Sequence, residues 1–541
     1  MSNPTLDKKP LNDSDLDLTT DVLIIGGGPA GTWAAWSAAN SGAKVVLVDK
    51  GFCGTSGAAA PSGNGVWYVP KDPEQREAAM ASREAMGGFL ADRNWMARVL
   101  DRTYDNMQFL INSNYPFRTD NNGQVVYRSL QGPDYLHFMR KKIVTAGVKI
   151  LDHSPALELL VDTEGVVAGA GGINRQSGER WKIRAKAVVI ATGGCAFLSK
   201  ALGCNVLTGD GLLMAAEAGA EFSGMEFSNA YAICPAWSSV TKTLFYKWAS
   251  FTYADGTIIE GAGSQRGRSV IAKTLMTQPV YARLDQGVDE QVKAWMRSSQ
   301  PNFFVPFDRA GIDPFTQRFP VTLRLEGTVR GTGGIRIVDY TCASSVPGLY
   351  AAGDAATREL ICGGFTGGGS HNAAWAMSSG YWSGESAATY ALSLGDKAEE
   401  RQVYGVGEAG LSRSGNQTFS PEEAIAQTQA EVFPYGRNLF RTATGLNESL
   451  ERLNHLWQEI RNSQVTDNSQ LLRSREAAAM VATARWMYNS GIQRQETRGM
   501  HKRVDHPQQD PNQHYRLLTG GLDTVWVKPE TASPSRELAV V

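Results

Sequence analysis

DVLIIGGGPAGTWAAWSAANSGAKVVLVDK, Asp21 to Lys50, is the stretch that decides the fold. Val22 to Ile25 form a short apolar run of the kind that builds a buried parallel strand. Gly26-x-Gly28-x-x-Gly31 follows at once, Thr32 to Asn40 reads as a helix, Val45 to Val48 as a second strand, and Asp49 ends it. Strand, glycines, helix, strand and terminal acid within one short unit form a dinucleotide-binding fingerprint far more specific than GxGxxG alone. Gly26 makes the tight turn, Gly28 lets backbone approach a pyrophosphate, and Gly31 brings helix and strand together. The helix start at Gly28, Pro29 and Ala30 turns free N–H groups toward phosphate. Asp49 can hydrogen-bond a ribose hydroxyl.

Working outward, further pieces suit the same ligand. Lys50 and the small, polar loop Cys53–Gly65, with Thr55, Ser56 and Gly57, can run close against a planar group. Ala187 to Ile190 is a second buried strand, and Ala191-Thr192-Gly193 turns sharply at its end. Thr208-Gly209-Asp210 is another glycine turn before a helix. Leu349 to Ala352 is a late strand ended by Gly353-Asp354, whose acid can bond a sugar-alcohol chain or phosphate. These segments lie far apart in the chain, so the cofactor domain is expected to be discontinuous.

Between them the composition changes. Phe227 to about Pro320 carries Trp237, Phe245, Tyr246, Trp248, Phe251 and Tyr253 and reads as an inserted lobe, the aromatics forming its core. The domain expectation is residues 1–226 and 321–395 for the cofactor domain, 227–320 for the lobe, and 396–541 for a helical C-terminal domain and tail. Met80 to Asn112 reads helical, with good helix formers throughout. Ser420-Pro421-Glu422-Glu423 is a capping box with proline in the first turn. Thr497 to Val541 reads as extended. The fold class is α/β: a Rossmann-type domain with an inserted capping lobe and a helical C-terminal domain.

The totals exclude several classes. The chain has 541 residues, enough for two to four domains by size. Lys+Arg 53 against Asp+Glu 54 gives no reason to expect a nucleic-acid partner. No apolar run reaches the ~18–20 residues of a membrane span. The six cysteines form no CxxC, and no Cys/His pair has zinc-finger spacing, so no metal is expected and no iron–sulfur cluster within this chain. Scattered cysteines behind a polar N-terminus without an apolar signal stretch fit a cytoplasmic location.

GGGPAG, ATGG, TGDG, GLYAAGDAA and RGMHKRVDHP together resemble the flavoprotein family of succinate dehydrogenase and fumarate reductase subunits, L-aspartate oxidase and adenylylsulfate reductase. The resemblance covers most of the chain. It implies FAD, a capping lobe over the flavin, and hydride transfer at flavin N5 between a small organic or anionic substrate and the cofactor.

Departures from the family pattern matter as much. Family members with covalent flavin carry a histidine in the loop after the first acidic strand end; Gly51 to Gly65 has none, so FAD is expected to be non-covalent. The dicarboxylate enzymes place a histidine before the turn that here reads Gly331-Thr332-Gly333-Gly334, and an arginine in the late glycine loop. Both are missing, which argues against succinate, fumarate and aspartate. FTGGGSHNAAWA is closer to the adenylylsulfate reductase version of that loop.

The late loop suggests a catalytic group. Glycines 367–369 can pass edge-on beside a flavin, with Ser370, Asn372 and Ala373 opening the helix and His371 near both flavin and substrate. His371 can donate a proton or bind an anion; alternatively Ser370 caps the helix and His371 only supports the turn. Arg266 and Arg268 of the lobe are candidates to meet substrate beside the flavin, or else surface arginines. Arg330, between glycines, can reach an anionic substrate. Arg498 and His501 belong to a motif near the family's site, yet can equally pin the tail by ion pairs, the reading favoured here. Two alternatives accompany the enzyme reading: an adenylylsulfate-reductase-like subunit needing a separate iron–sulfur electron-transfer partner, and a flavin-binding subunit without catalysis.

Overall fold

The computed structural model describes residues 14–530, apart from 121, 242, 265–266, 366–369, 396–400, 413–414 and 466. Its centre is an eight-stranded sheet. The first strand, Leu16–Ile25, runs parallel to both Val45–Val48 and Arg180–Ile190. The late strand Leu349–Ala351 lies parallel to Arg180–Ile190 on its other edge, with Ala351 opposite Ile190. Segments distant in sequence thus end side by side, and the turns after each strand open at one edge. Ligands of doubly wound sheets bind at such carboxyl ends.

The helix Pro29–Asn40 packs along the helix Ser370–Ser393. Small residues make this approach possible: a Cβ on Gly380 would stand 2.3 Å from Ala30 O, and one on Gly384 2.1 Å from Ala34 O. Trp375 Nε1 donates to Gly353 O at 3.0 Å, tying the same helix to the late strand end.

A four-stranded sheet forms the lobe: Ala230–Pro235, Phe319–Glu326, Val280–Arg283 and Ser250–Thr252. Phe319–Glu326 carries this sheet past residue 320, because Leu325 pairs with Tyr231. Phe245, Tyr246 and Phe251 are buried in its core, while Trp237 is exposed.

Two expectations gain detail. Residues 80–112 are helical in two pieces: Pro73–Met86 and Arg93–Asn112 are separated at Gly87-Gly88. Gly88 has φ +65°, a Cβ on Gly87 would meet Cys362 O at 2.3 Å, and Asp92 caps the second helix. The tail is not simply extended: Leu517–Gly520 and Trp526–Pro529 form a hairpin in a four-stranded sheet with Phe222–Ser223 and Gly334–Ile335. Ser420 accepts from Glu423 N at 3.3 Å, the cap expected at Pro421–Val432. Among the described residues no helix is long and apolar enough to cross a membrane.

Candidate functional site

A cavity of about 1110 Å³ opens at the carboxyl ends of the central strands. It exceeds the roughly 300–1,000 Å³ of an ordinary small-molecule site. Gly26, Gly28, Pro29, Ala30, Asp49, Lys50, Ser56, Gly57, Ala191, Thr192, Gly193, Asp210, Gly353, Asp354, Ser370, Asn372 and Ala373 all line it. Sequence positions chosen from six separate stretches therefore share one wall.

The three fingerprint glycines do different work. Gly26, at φ +108°, could carry no Cβ without meeting Ala191 O at 2.4 Å. A Cβ on Gly31 would stand 1.7 Å from Gly26 O, so Gly31 serves packing and does not line the cavity. A Cβ on Gly28 would meet nothing within 4 Å; it would occupy open cavity above the helix start. Gly28 as N-cap receives no side-chain bond, which leaves the first helical N–H groups for a ligand. Thr55 is exposed and off the cavity wall.

Asp49 accepts from Gly27 N at 2.6 Å, Gly51 N at 2.8 Å and Ser56 Oγ at 2.7 Å. These bonds lock the strand end; Oδ1 takes two of them and Oδ2 one, which leaves Oδ2 a lone pair for a ribose hydroxyl. Lys50 Nζ is held by Asp210 at 2.7 Å and by Glu476 at 2.6 Å. Its ammonium is engaged within the protein, so its part is to fix the wall.

The lobe side carries the charged chemistry. Arg268 opens the helix Arg268–Leu275, lines the cavity and donates to Tyr231 O at 2.9 Å. Burial pulls its pKa down, with Glu326 opposing. Glu326 is buried on the same wall and accepts from Thr241 Oγ1 at 2.8 Å. Arg330 also lines the cavity, at the end of the short helix Gly327–Arg330. Arg266 and the glycine coil 366–369 lie outside the described residues.

His371 is placed differently from the sequence expectation. It is 2% exposed and is absent from the cavity wall. Its ring packs on Trp67 at 4.4 Å, and Nδ1 lies 3.2 Å from Ser370 Oγ. No histidine lines the cavity among the described residues.

Arg358 escaped the sequence reading because a single arginine before a short apolar helix carries no signal. Its guanidinium, 1% exposed, pairs with Asp354 and donates to Thr328 O at 3.3 Å, Val329 O at 3.1 Å and Gly331 O. Asn372 Nδ2 reaches Val329 O at 3.1 Å from the other side. Arg358 and Asn372 together hold the turn that presents Arg330. Burial raises the pKa of Asp354, with Arg358 and Arg330 opposing.

Arg498 and His501 belong to a buried ion network, the favoured sequence reading. Arg498 Nε is 2.6 Å from Glu496, and Arg494 joins Glu496 to Glu226 at 2.8 and 2.7 Å. His501 Nδ1 lies 2.8 Å from an Arg441 nitrogen that can only donate, and Nε2 lies 3.0 Å from Arg494 O. Nδ1 therefore accepts and Nε2–H donates, a neutral imidazole. Burial and then Arg441 keep its pKa well below the usual value.

Residues 21–238 match the family described as FAD binding domain, and residues 432–532 match the fumarate reductase flavoprotein C-terminal domain. The chain belongs to the FAD-dependent flavoprotein family of fumarate reductase and succinate dehydrogenase. It is 24% identical to the fumarate reductase flavoprotein subunit of Haemophilus influenzae over 91% of this chain and 90% of that one. It is 24% identical to the L-aspartate oxidase of Streptomyces coelicolor, over 97% and 93%. In fold it is similar to E. coli quinol fumarate reductase, with TM-score 0.79 at 21% identity over 96% of this chain and 98% of that chain. Adenylylsulfate reductase of Archaeoglobus fulgidus gives TM-score 0.76 at 17% identity, over 98% of each.

The protein is thus an FAD-dependent oxidoreductase of this family. Its cavity fits the cofactor on its own geometry: Gly28 leaves the space a pyrophosphate needs, and the N–H groups behind it are uncapped.

Proposed function

We propose that this flavoprotein oxidises or reduces a small anionic substrate bound between the flavin and the lobe, with Arg268 as the principal catalytic residue. The observation that carries this reading is the setting of Arg268: it lines the cavity, bonds one backbone carbonyl, and makes no ion pair among the described residues. A half-desolvated guanidinium that has Glu326 nearby but no ion pair among the described residues favours an incoming anion. Bound FAD supplies a two-electron, hydride-accepting or hydride-donating centre.

In this reading Arg268 neutralises the substrate's charge and donates charge-assisted hydrogen bonds to it. Arg330 adds positive potential, held in place by Arg358 and Asn372. Glu326 opposes the loss of charge on Arg268. His371, packed on Trp67, supports the helix start rather than the chemistry.

FAD is held without a covalent bond. The loop after Asp49 has no histidine, and burial pushes the Cys53 thiol up to about 12, far from a nucleophilic thiolate. A separate electron-transfer protein completes turnover: several relatives are flavoprotein subunits by name, and the described residues hold no His/Cys/Asp/Glu group able to bind a metal.

Anaerobic absorbance of the flavin tests the reading. Titration with carboxylates and sulfur oxyanions, each beside its neutral analogue, should find an anion that changes flavin redox state. Arg268→Gln should keep FAD and lose that response. Reduction by neutral analogues alone would overturn the proposal.

A further inference from the structure

We propose that the substrate is an anion with a bulky apolar or aromatic body, its acidic group held between Arg83 and Arg268 and its body packed on Met86, Leu244 and Trp295. The inference rests on the cavity being the substrate site, as proposed above.

The charge side comes from pairing. Most charged groups of the wall are already satisfied. Asp49 holds backbone N–H groups, Lys50 pairs with Asp210, Asp354 pairs with Arg358, and Glu326 takes the Thr241 hydroxyl. Arg83 and Arg268 line the cavity without an ion pair among the described residues. Arg83 comes from the helix Pro73–Met86, outside the lobe, and lies over the Phe365 ring at 6.0 Å. Burial lowers the pKa of both guanidiniums. Two desolvated cations on different elements of one cavity call for an anion.

The apolar side comes from exposure. Met86 is 40% exposed, Leu244 56% and Trp295 37%, yet all three line this cavity. Large apolar side chains left wet around one concavity mark a ligand surface. They are also anchored. Met86 follows Arg83 by one helical turn, and the Trp295 ring packs edge-on to Phe245 at 5.9 Å and against Trp248 at 5.7 Å. A short, wholly polar acid would satisfy the arginines and leave this rim in water; a body of phenyl size covers it.

The FAD-loaded protein is titrated with 3-phenylpropionate, propionate and 3-phenylpropan-1-ol, followed by flavin absorbance and calorimetry. 3-Phenylpropionate should bind at least thirtyfold more tightly than propionate. Trp295→Ala and Leu244→Ser should each weaken 3-phenylpropionate about tenfold and propionate less than twofold, with FAD content and melting temperature confirming the fold. Leu244→Ser guards against a lobe loosened by loss of the Trp295 ring. Arg83→Gln should weaken both acids about tenfold. Equal affinity for the two acids, no binding of either, or no effect of both rim variants overturns the inference. If the alcohol binds as tightly as 3-phenylpropionate, the anionic reading of the site falls as well. Equal weak binding of the two acids with loss of both in Arg268→Gln would overturn only the apolar part.

Discussion

The Lys50 ammonium stands 2.6 Å from Glu476 and 2.7 Å from Asp210. Lys50 ends the fingerprint strand, Asp210 opens a helix of the same domain, and Glu476 lies on the C-terminal helix Leu471–Gln493. One ion cluster therefore joins the cofactor wall to the helical domain. Burial alone would lower the Lys50 pKa; Asp210 and Glu476 outweigh it and hold the pKa above its usual value. The Lys50 contribution is thus fully present below about pH 10.4, the unfolded amine's value, while its carboxylate partners stay ionised, and is lost as pH rises through the higher folded pKa. Glu476→Gln should cost about 1.5–3 kcal/mol near neutrality, the size of a lost hydrogen bond to a charge, measured by denaturant unfolding. An unchanged midpoint would refute the coupling.

Gly28→Val and Gly31→Val should fail in different ways. The Gly28 variant adds a side chain to open cavity, so the chain should fold and come out colourless. The Gly31 variant collides with Gly26 O and should be insoluble or unfolded. Acid denaturation of the parent protein should release all flavin into the supernatant; yellow colour left on the chain would show a covalent bond.

Arg268→Gln should retain FAD and slow substrate-driven flavin reduction by roughly 10–10²-fold, the ~1.5–3 kcal/mol of a lost charge-assisted hydrogen bond. His371→Asn should stay within about tenfold of the parent protein, because His371 faces Trp67 rather than the cavity. Rapid-mixing absorbance decides between them, and a larger loss in the His371 variant would return the chemistry to the histidine.

Fumarate and succinate should be poor substrates. No histidine lines the cavity among the described residues, and neither neighbour of Asn372, His371 or Ala373, is an arginine. One lost charge-assisted bond of this kind is worth about 1.5–3 kcal/mol. Fumarate turnover with a reduced dye at ordinary enzymatic rates, about 1–10³ per second, would contradict this.

Stability should also respond to Glu359. Burial first, then the neighbouring Glu226, push its pKa up to about 8. A carboxyl raised in the fold favours its protonated form there. The contribution is fully present below the unfolded value near pH 4.3 and lost as pH rises through about 8. Glu359→Gln should melt at a higher temperature than the parent at pH 9 and show a flatter pH profile. Parallel profiles would exclude Glu359 as the titrating group.

The cofactor half of the molecule was legible in the chain because its signals are local. Gly26, Gly28, Gly31 and Asp49 fall within one βαβ unit, and the turns at Thr192, Asp210 and Asp354 each follow a short apolar strand or open a helix, so backbone geometry alone restricts their residue types. The Ser420 cap showed in four adjacent residues. What decided the candidate catalytic wall was long-range. His371 and Arg330 carry equally suggestive glycine neighbours, yet only packing turns one ring onto Trp67 and brings the other residue to the cavity. Arg358 has no sequence signature, since its role is to meet carbonyls of residues 328, 329 and 331 across a turn. Arg83 reads as an ordinary helix arginine until the fold half-buries it beside Phe365 with no ion pair among the described residues. Sequence determines such groups' chemistry; desolvation and pairing, which set their charge and reach, exist only once distant segments are packed together.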